Sequence, residues 1–142
     1  MATRSTIAVQ HENGTVSSVY CHWDGHLENN GKLLVEHYNS QELAEALVKG
    51  GAISSLEKRI APTSAGHNFD NPEKGVTVFY ARDRDEKLRV NKFLNIEMYR
   101  LDNDWQEYDY IFREGEWQLW RGKFGSSVET LLKEMETEED FG

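Results

Sequence analysis

The chain has 142 residues, 38% of them hydrophobic and 29% charged, with a formal net charge of −9, which suits one domain with a core of its own and much solvated surface. That sign of charge disfavours a general nucleic-acid binder, since neutralising phosphates needs a basic field. A single cysteine excludes an intrachain disulfide, and no apolar run approaches bilayer length, so a reducing intracellular setting without membrane insertion is expected.

The start Met1-Ala2-Thr3-Arg4 leads into a strand and not a signal peptide. Arg4 to Gln10 alternates as a strand, with Ser5, Ile7 and Val9 on one face, and His11-Glu12-Asn13-Gly14 carries an Asn-Gly hairpin turn. The returning strand places Val19, Cys21 and Trp23 on its buried face. Asp24-Gly25 is turn chemistry, with the glycine supplying positive φ.

Beyond Asn29-Asn30-Gly31 comes a short apolar segment, Leu33-Leu34-Val35. Asn39, with Glu42 in the capping-box position, predicts a helix with Leu43, Ala46 and Leu47 inward and Gly50-Gly51 as its stop. Residues 60–75 hold both prolines and two glycines and predict a loop. Val76 to Tyr80 predicts a strand running into a charged exit, while 91–101 suits either helix or strand. Trp105–Phe112 and Trp117–Arg121 predict a second hairpin about Arg113-Glu114-Gly115-Glu116. Ser126 and Glu129 cap a final helix with Val128, Leu131, Leu132 and Met135 inward, before a frayed acidic tail, 136–142. The expected fold is a single α+β domain spanning 1–142: an antiparallel sheet built from hairpins, with two main helices, on one side of it.

Charge is unevenly placed. Residues 129–142 carry −5 of the total, whereas Arg82 to Lys92 sums to +2. Arg82 and Arg84 lie two apart, so an extended segment sends both to one side, where they fork onto phosphate oxygens. The alternative makes them partners of Asp83, Asp85 and Glu86 in a solvated ion-pair network. Phe79 and its neighbour Tyr80 offer a stacking face for a base. Asn91 is a donor for a ribose or base edge, and Arg113, Arg121 and Lys123 add positive charge around the second hairpin. Catalytic chemistry finds no motif. Cys21 and His22 face opposite sides of a strand, the spacing of His22, His26 and His37 matches no compact metal site, and there is no Gly-rich phosphate loop. No enzyme, metal or cofactor is therefore expected.

Met1 to Val9, Val19-Tyr20-Cys21-His22-Trp23-Asp24-Gly25, Asn29-Asn30-Gly31 and His37-Tyr38 together resemble the first Thoeris anti-defence family of phages and prophages. Ile53-Ser54-Ser55-Leu56, His67 to Glu73 and Val76 to Arg84 look like its middle section. The likeness covers roughly the first 86 residues; His26 departs from it, where an aromatic such as Tyr is expected. The resemblance implies a sponge: a protein that binds glycocyclic ADP-ribose, the signal of TIR-domain defence, and holds it uncleaved in the cytoplasm of the infected bacterium. It further implies homo-oligomers, dimers that join into hexamers, and in some members capture of the cyclic di- or trinucleotides of a second (CBASS) defence. A rival reading from the acidic charge is a DNA mimic that inhibits a host nuclease or repressor, although over half of that charge sits in one short tail.

Overall fold

The computed structural model describes residues 3–102, 108–121 and 124–141. Its strands are β1 (Ser5–Gln10), β2 (Val16–Cys21), β3 (Ile53–Ser55), β4 (Val78–Phe79), β5 (Asn91–Phe93), β6 (Tyr108–Arg113), β7 (Glu116–Arg121) and β8 (Phe124–Ser127). The helices are α1 (Lys32–His37), α2 (Gln41–Lys49), α3 (Tyr80–Arg84), α4 (Ile96–Asp102) and α5 (Val128–Phe141), with a π-helical turn at Leu27–Gly31 before α1. This is the expected α+β architecture, with α2 and α5 the longest helices. No described helix is long and apolar enough to cross a membrane.

Both predicted hairpins form. In the first, Gly14 takes φ +87°, which an L side chain resists, and β1 pairs antiparallel with β2 from Ser5↔Cys21 to Gln10↔Val16. In the second, Glu114 and Gly115 both take positive φ, the two-residue turn whose twist matches flanking strands. The hairpins join through a parallel pairing of β1 with β6, so the sheet is mixed. Its order is β4-β3-β2-β1-β6-β7-β8, with β5 also against β2.

Helices lie on both faces, not one. Ile7, Val9, Val19, Tyr110, Phe112, Trp117 and Leu119 meet α1, α2 and α5 in the main core. On the other face Ala8, Val16 and Ile111 pack with Tyr99 and Ile96 of α4. That second layer is polar at its centre: Thr6 Oγ1 donates to Asp109 Oδ1 at 2.8 Å and lies 3.0 Å from the Tyr99 hydroxyl. A strand with apolar residues on both faces needs cover on both, and α4 supplies the second.

Several local expectations shift by a residue. Ser40, not Asn39, caps α2 through the Leu43 amide at 3.1 Å. The Gln41 side-chain amide then ties the helix to the Gln10 carbonyl at 2.9 Å. That orientation buries Ala44, Leu47 and Val48, and leaves Leu43 exposed. Ser127, not Ser126, caps α5, accepting from the Thr130 amide at 3.4 Å. The α5 backbone stays helical through the predicted frayed segment as far as Phe141.

The turn after β2 also differs. Asp24, not Gly25, takes positive φ (54°). Gly25 is required for close approach: a Cβ there would lie 2.8 Å from both the Ser5 Cβ and the Thr3 carbonyl oxygen. Trp23 does not enter the core and is 45% exposed. Buried Asn30 occupies the space beneath the strand end, its amide directed at Ser5 Oγ (3.3 Å), Cys21 Sγ (3.4 Å) and the Trp23 carbonyl (3.5 Å). Cys21 is buried, and burial above all pushes its thiol up to about 11, so the thiolate needed for reactivity is scarce.

Candidate functional site

The charged exit from β4 is a helical turn rather than an extended strand. The Asp83 carboxylate accepts the Phe79 amide at 2.9 Å and so caps α3, while Asp85 closes it with φ 56° and the Glu86 amide donates to the Tyr80 carbonyl at 3.1 Å. Residues two apart on a helix do not share a face, so Arg82 and Arg84 diverge. The extended fork is thereby corrected.

Arg82 is committed internally. Its Nε donates to Asp83 Oδ1 (2.8 Å), Nη1 to the Ile60 carbonyl (2.6 Å) and Nη2 to the Thr77 carbonyl (2.9 Å), with its Cζ 4.9 Å from the centre of the Phe79 ring. His67 adds to the knot. Its Nδ1 accepts the Glu73 amide at 2.9 Å, which leaves Nε2–H to donate to Asp83 at 3.2 Å. The 3.4 Å approach of Arg82 Nη2 to that same nitrogen is therefore donor against donor, and not a hydrogen bond. Burial raises the Asp83 pKa, but the bonds from Arg82, the Phe79 amide and His67 outweigh it and hold the carboxyl below its ordinary value. Phe79, expected as the stacking face, is 1% exposed. A Cβ on Gly50 would collide with its ring, so Phe79 is a core residue.

Arg84 is different. Its guanidinium sits 4.9 Å over the Phe69 ring, and Phe69 in turn lies 5.6 Å from Tyr80. Among the described residues only Glu86, at 3.4 Å and itself half-exposed, pairs with it. Tyr80 is close enough to the Tyr20 phenol to act on its titration. Burial raises the Tyr20 pKa most, Arg4 lowers it, and Tyr80 raises it further. The Tyr20 hydroxyl meets His22 Nδ1 at 2.6 Å, and His22 meets Trp23 edge-on at 4.7 Å. The end of β2 and the start of α3 thus form an accessible ledge of aromatic rings bordered by Arg4 and Arg84. Of its members, only Tyr80 and Arg84 are expected from the sequence as ligand contacts. Phe69 comes to them by loop folding and Tyr20 by strand pairing, which single-chain spacing does not reveal.

Of the remaining expected residues, Arg113 does not reach this ledge. Asn91 is exposed on β5, opposite Ser18. Arg113 lies on β6, its Nε donating to Gln10 Oε1 at 2.8 Å and its Cζ 6.0 Å over Trp120. Four strand steps separate β4 from β6 in the sheet order, or roughly 19 Å at about 4.8 Å per step. The side chain of Arg121, and Lys123 as a whole, lie outside the described residues. Arg84 and Arg113 thus do not share one pocket of the chain.

No protein-family model matches the chain, and neither a curated protein nor a solved structure is detectably similar to it. Among the described residues, two places offer chemistry that could carry a function. The second is a cavity of about 520 Å³ between α2, the first hairpin and the approach to β5. Val9, Val48, Leu88 and Val90 supply its apolar lining, and His11, Ser17, Glu45, Lys49 and Lys92 its polar groups. Ser17 Oγ is 2.8 Å from His11 Nε2, and His11 Nδ1 is 3.2 Å from Glu45 Oε1. Gln41 donates to the same Glu45 oxygen at 2.7 Å; that bond and the one from His11 lower the Glu45 pKa against burial. Sequence reasoning passed this cluster over because it matches no motif. The hairpin register held the signal, since Ser17 faces Val9, two residues from His11. Among the described residues, no three His, Cys, Asp or Glu side chains gather as a metal site.

Proposed function

We propose that the protein captures a small anionic nucleotide signal of the glycocyclic ADP-ribose class and holds it chemically unchanged, acting by binding rather than turnover. The observation that carries this reading is the accessible Arg84 guanidinium stacked over Phe69 beside Tyr80. A base needs a ring face and a phosphate needs a guanidinium, and the ledge offers both within one helical turn. The resemblance of the first 86 or so residues to the Thoeris anti-defence family supports the same ligand class, and with it action in the cytoplasm of an infected bacterium. Cyclic di- and trinucleotides belong to the proposal as further ligands.

The ledge is open on one side, so a second copy of the chain is proposed as the opposite wall. An apolar stripe is available for such a contact. Leu94, Met98 and Leu101, at helical spacing along α4 and its entry, are 74%, 48% and 73% exposed, and exposed apolar groups that cluster are what an interface covers.

Calorimetry with cyclic ADP-ribose isomers and cyclic oligonucleotides tests the reading. The expected result is saturable binding, with intact ligand recovered on denaturation. Tyr80→Ala and Arg84→Ala are each expected to weaken it by roughly 10- to 100-fold, the worth of one stacked base or one charge-assisted bond. Absence of binding, or recovery of a hydrolysed nucleotide, overturns the proposal. Inhibition of a nuclease or repressor that vanishes on deleting residues 137–142 would favour the acidic mimic instead.

A further inference from the structure

We propose that Ser17, His11 and Glu45 form a nucleophilic relay that hydrolyses short carboxylic esters bearing a negative charge. The site is separate from the nucleotide ledge, since Ser17 and Tyr20 are three residues apart on β2 and project from opposite faces. A serine hydroxyl becomes a useful nucleophile when a base accepts its proton and a third group orients that base. Both conditions are met here, at 2.8 and 3.2 Å. Glu45 accepts from His11 Nδ1–H, which leaves Nε2 with its lone pair toward Ser17. Gln41 donates to that same Glu45 oxygen at 2.7 Å and holds it in place, so the relay is positioned on two elements, the hairpin and α2.

Ser17 opens into the cavity of about 520 Å³, a volume that suits a small organic substrate. The apolar lining accommodates the acyl stem. Ser17 sits mid-strand between Val9 and Lys92, so amide donors for an oxyanion are not offered there. Lys49 and Lys92, both lining the cavity, supply positive charge for the oxyanion and for an anionic substituent.

The step balances with water as the only co-reactant. Ser17 Oγ bonds to the acyl carbon as the ester C–O bond breaks, and the serine proton passes through His11 Nε2 to the departing alkoxide. Water then attacks the acyl-serine, giving one proton to His11, which returns it to Ser17 Oγ as the acyl C–Oγ bond breaks. The products are the carboxylic acid and the alcohol.

The test uses the full chain with two probes: the mono-p-nitrophenyl ester of succinate, and a fluorophosphonate followed by intact-mass and peptide mapping. Expected are p-nitrophenolate release above the buffer rate and a single adduct on Ser17. Ser17→Ala should remove both, and His11→Ala or Glu45→Gln should slow release at least about 100-fold, with circular dichroism confirming that each variant is folded. Preference for the succinate ester over the neutral acetate ester should shrink in Lys49→Ala. A wild-type rate no higher than that of Ser17→Ala, or an adduct that maps elsewhere, overturns the relay. Mapping on the wild type decides the matter even if a variant does not fold.

Discussion

Arg82 and Arg84 share a charge and a five-residue helix, yet the structure gives them different surroundings. Arg82 fills three acceptors on three segments and rests on Phe79, so removing it strands the buried Thr77 carbonyl and leaves the Asp83 carboxylate with the Phe79 amide and His67 alone. Arg82→Ala is expected to cost on the order of 2 kcal/mol of stability, read as a lower urea midpoint. Arg84→Ala is expected to leave that midpoint within about 0.5 kcal/mol and to act on ligand affinity alone. Equal midpoint shifts in the two variants would contradict this division. The sequence shows the two arginines as a cationic pair but not their divergence, because that depends on Asp83 capping the Phe79 amide. Phe79 reads as a stacking surface for the same kind of reason: its burial comes from Gly50, a helix end nearly thirty positions earlier.

Among the elements, hairpins and helix ends are the legible ones, since their determinants lie within a few residues: Asn13-Gly14, Glu114-Gly115 and Gly50-Gly51. Illegible are the features set by distant partners, namely α4 against the second face and the anchoring of the long loop before β4. That loop is predicted from its prolines and glycines, and it is held at several points. Arg59 exchanges backbone bonds with Gly75 and Thr77 at 3.1 and 2.8 Å, and its guanidinium pairs with Glu73. The Thr63 amide also donates to Glu73, at 3.1 Å. These bonds, the Thr63 amide foremost, bring the Glu73 carboxyl down from 4.5 to about 2. A depressed carboxyl contributes stability that is complete above its unfolded value and lost as pH falls through its folded one. Amide-exchange protection of residues 60–75 is therefore expected to persist at pH 3.5 and to fail only toward pH 2. In Glu73→Gln the weakened anchor should expose the loop even at pH 7. Loss of wild-type protection already near pH 4.5 would show that Glu73 is not the anchor.

At the scale of the molecule, both faces of the sheet are packed, yet Leu94, Met98 and Leu101 still face water. A self-complementary contact through a two-fold axis would bury that stripe. Leu101→Glu is expected to lower the sedimentation coefficient of the protein without lowering its helix content; an unchanged coefficient would remove α4 from the contact. The joint between the two hairpins has a different kind of consequence. Because Ser5 pairs with Tyr108 and Val9 with Phe112, β1 waits for a strand about a hundred residues later in the chain before it has neighbours on both sides. A nascent chain halted before residue 108 presents the bare edge of β1 where β6 would pair, the kind of surface that recruits other chains. Premature stops in this protein should thus yield aggregates and chaperone clients, not a smaller protein that still works.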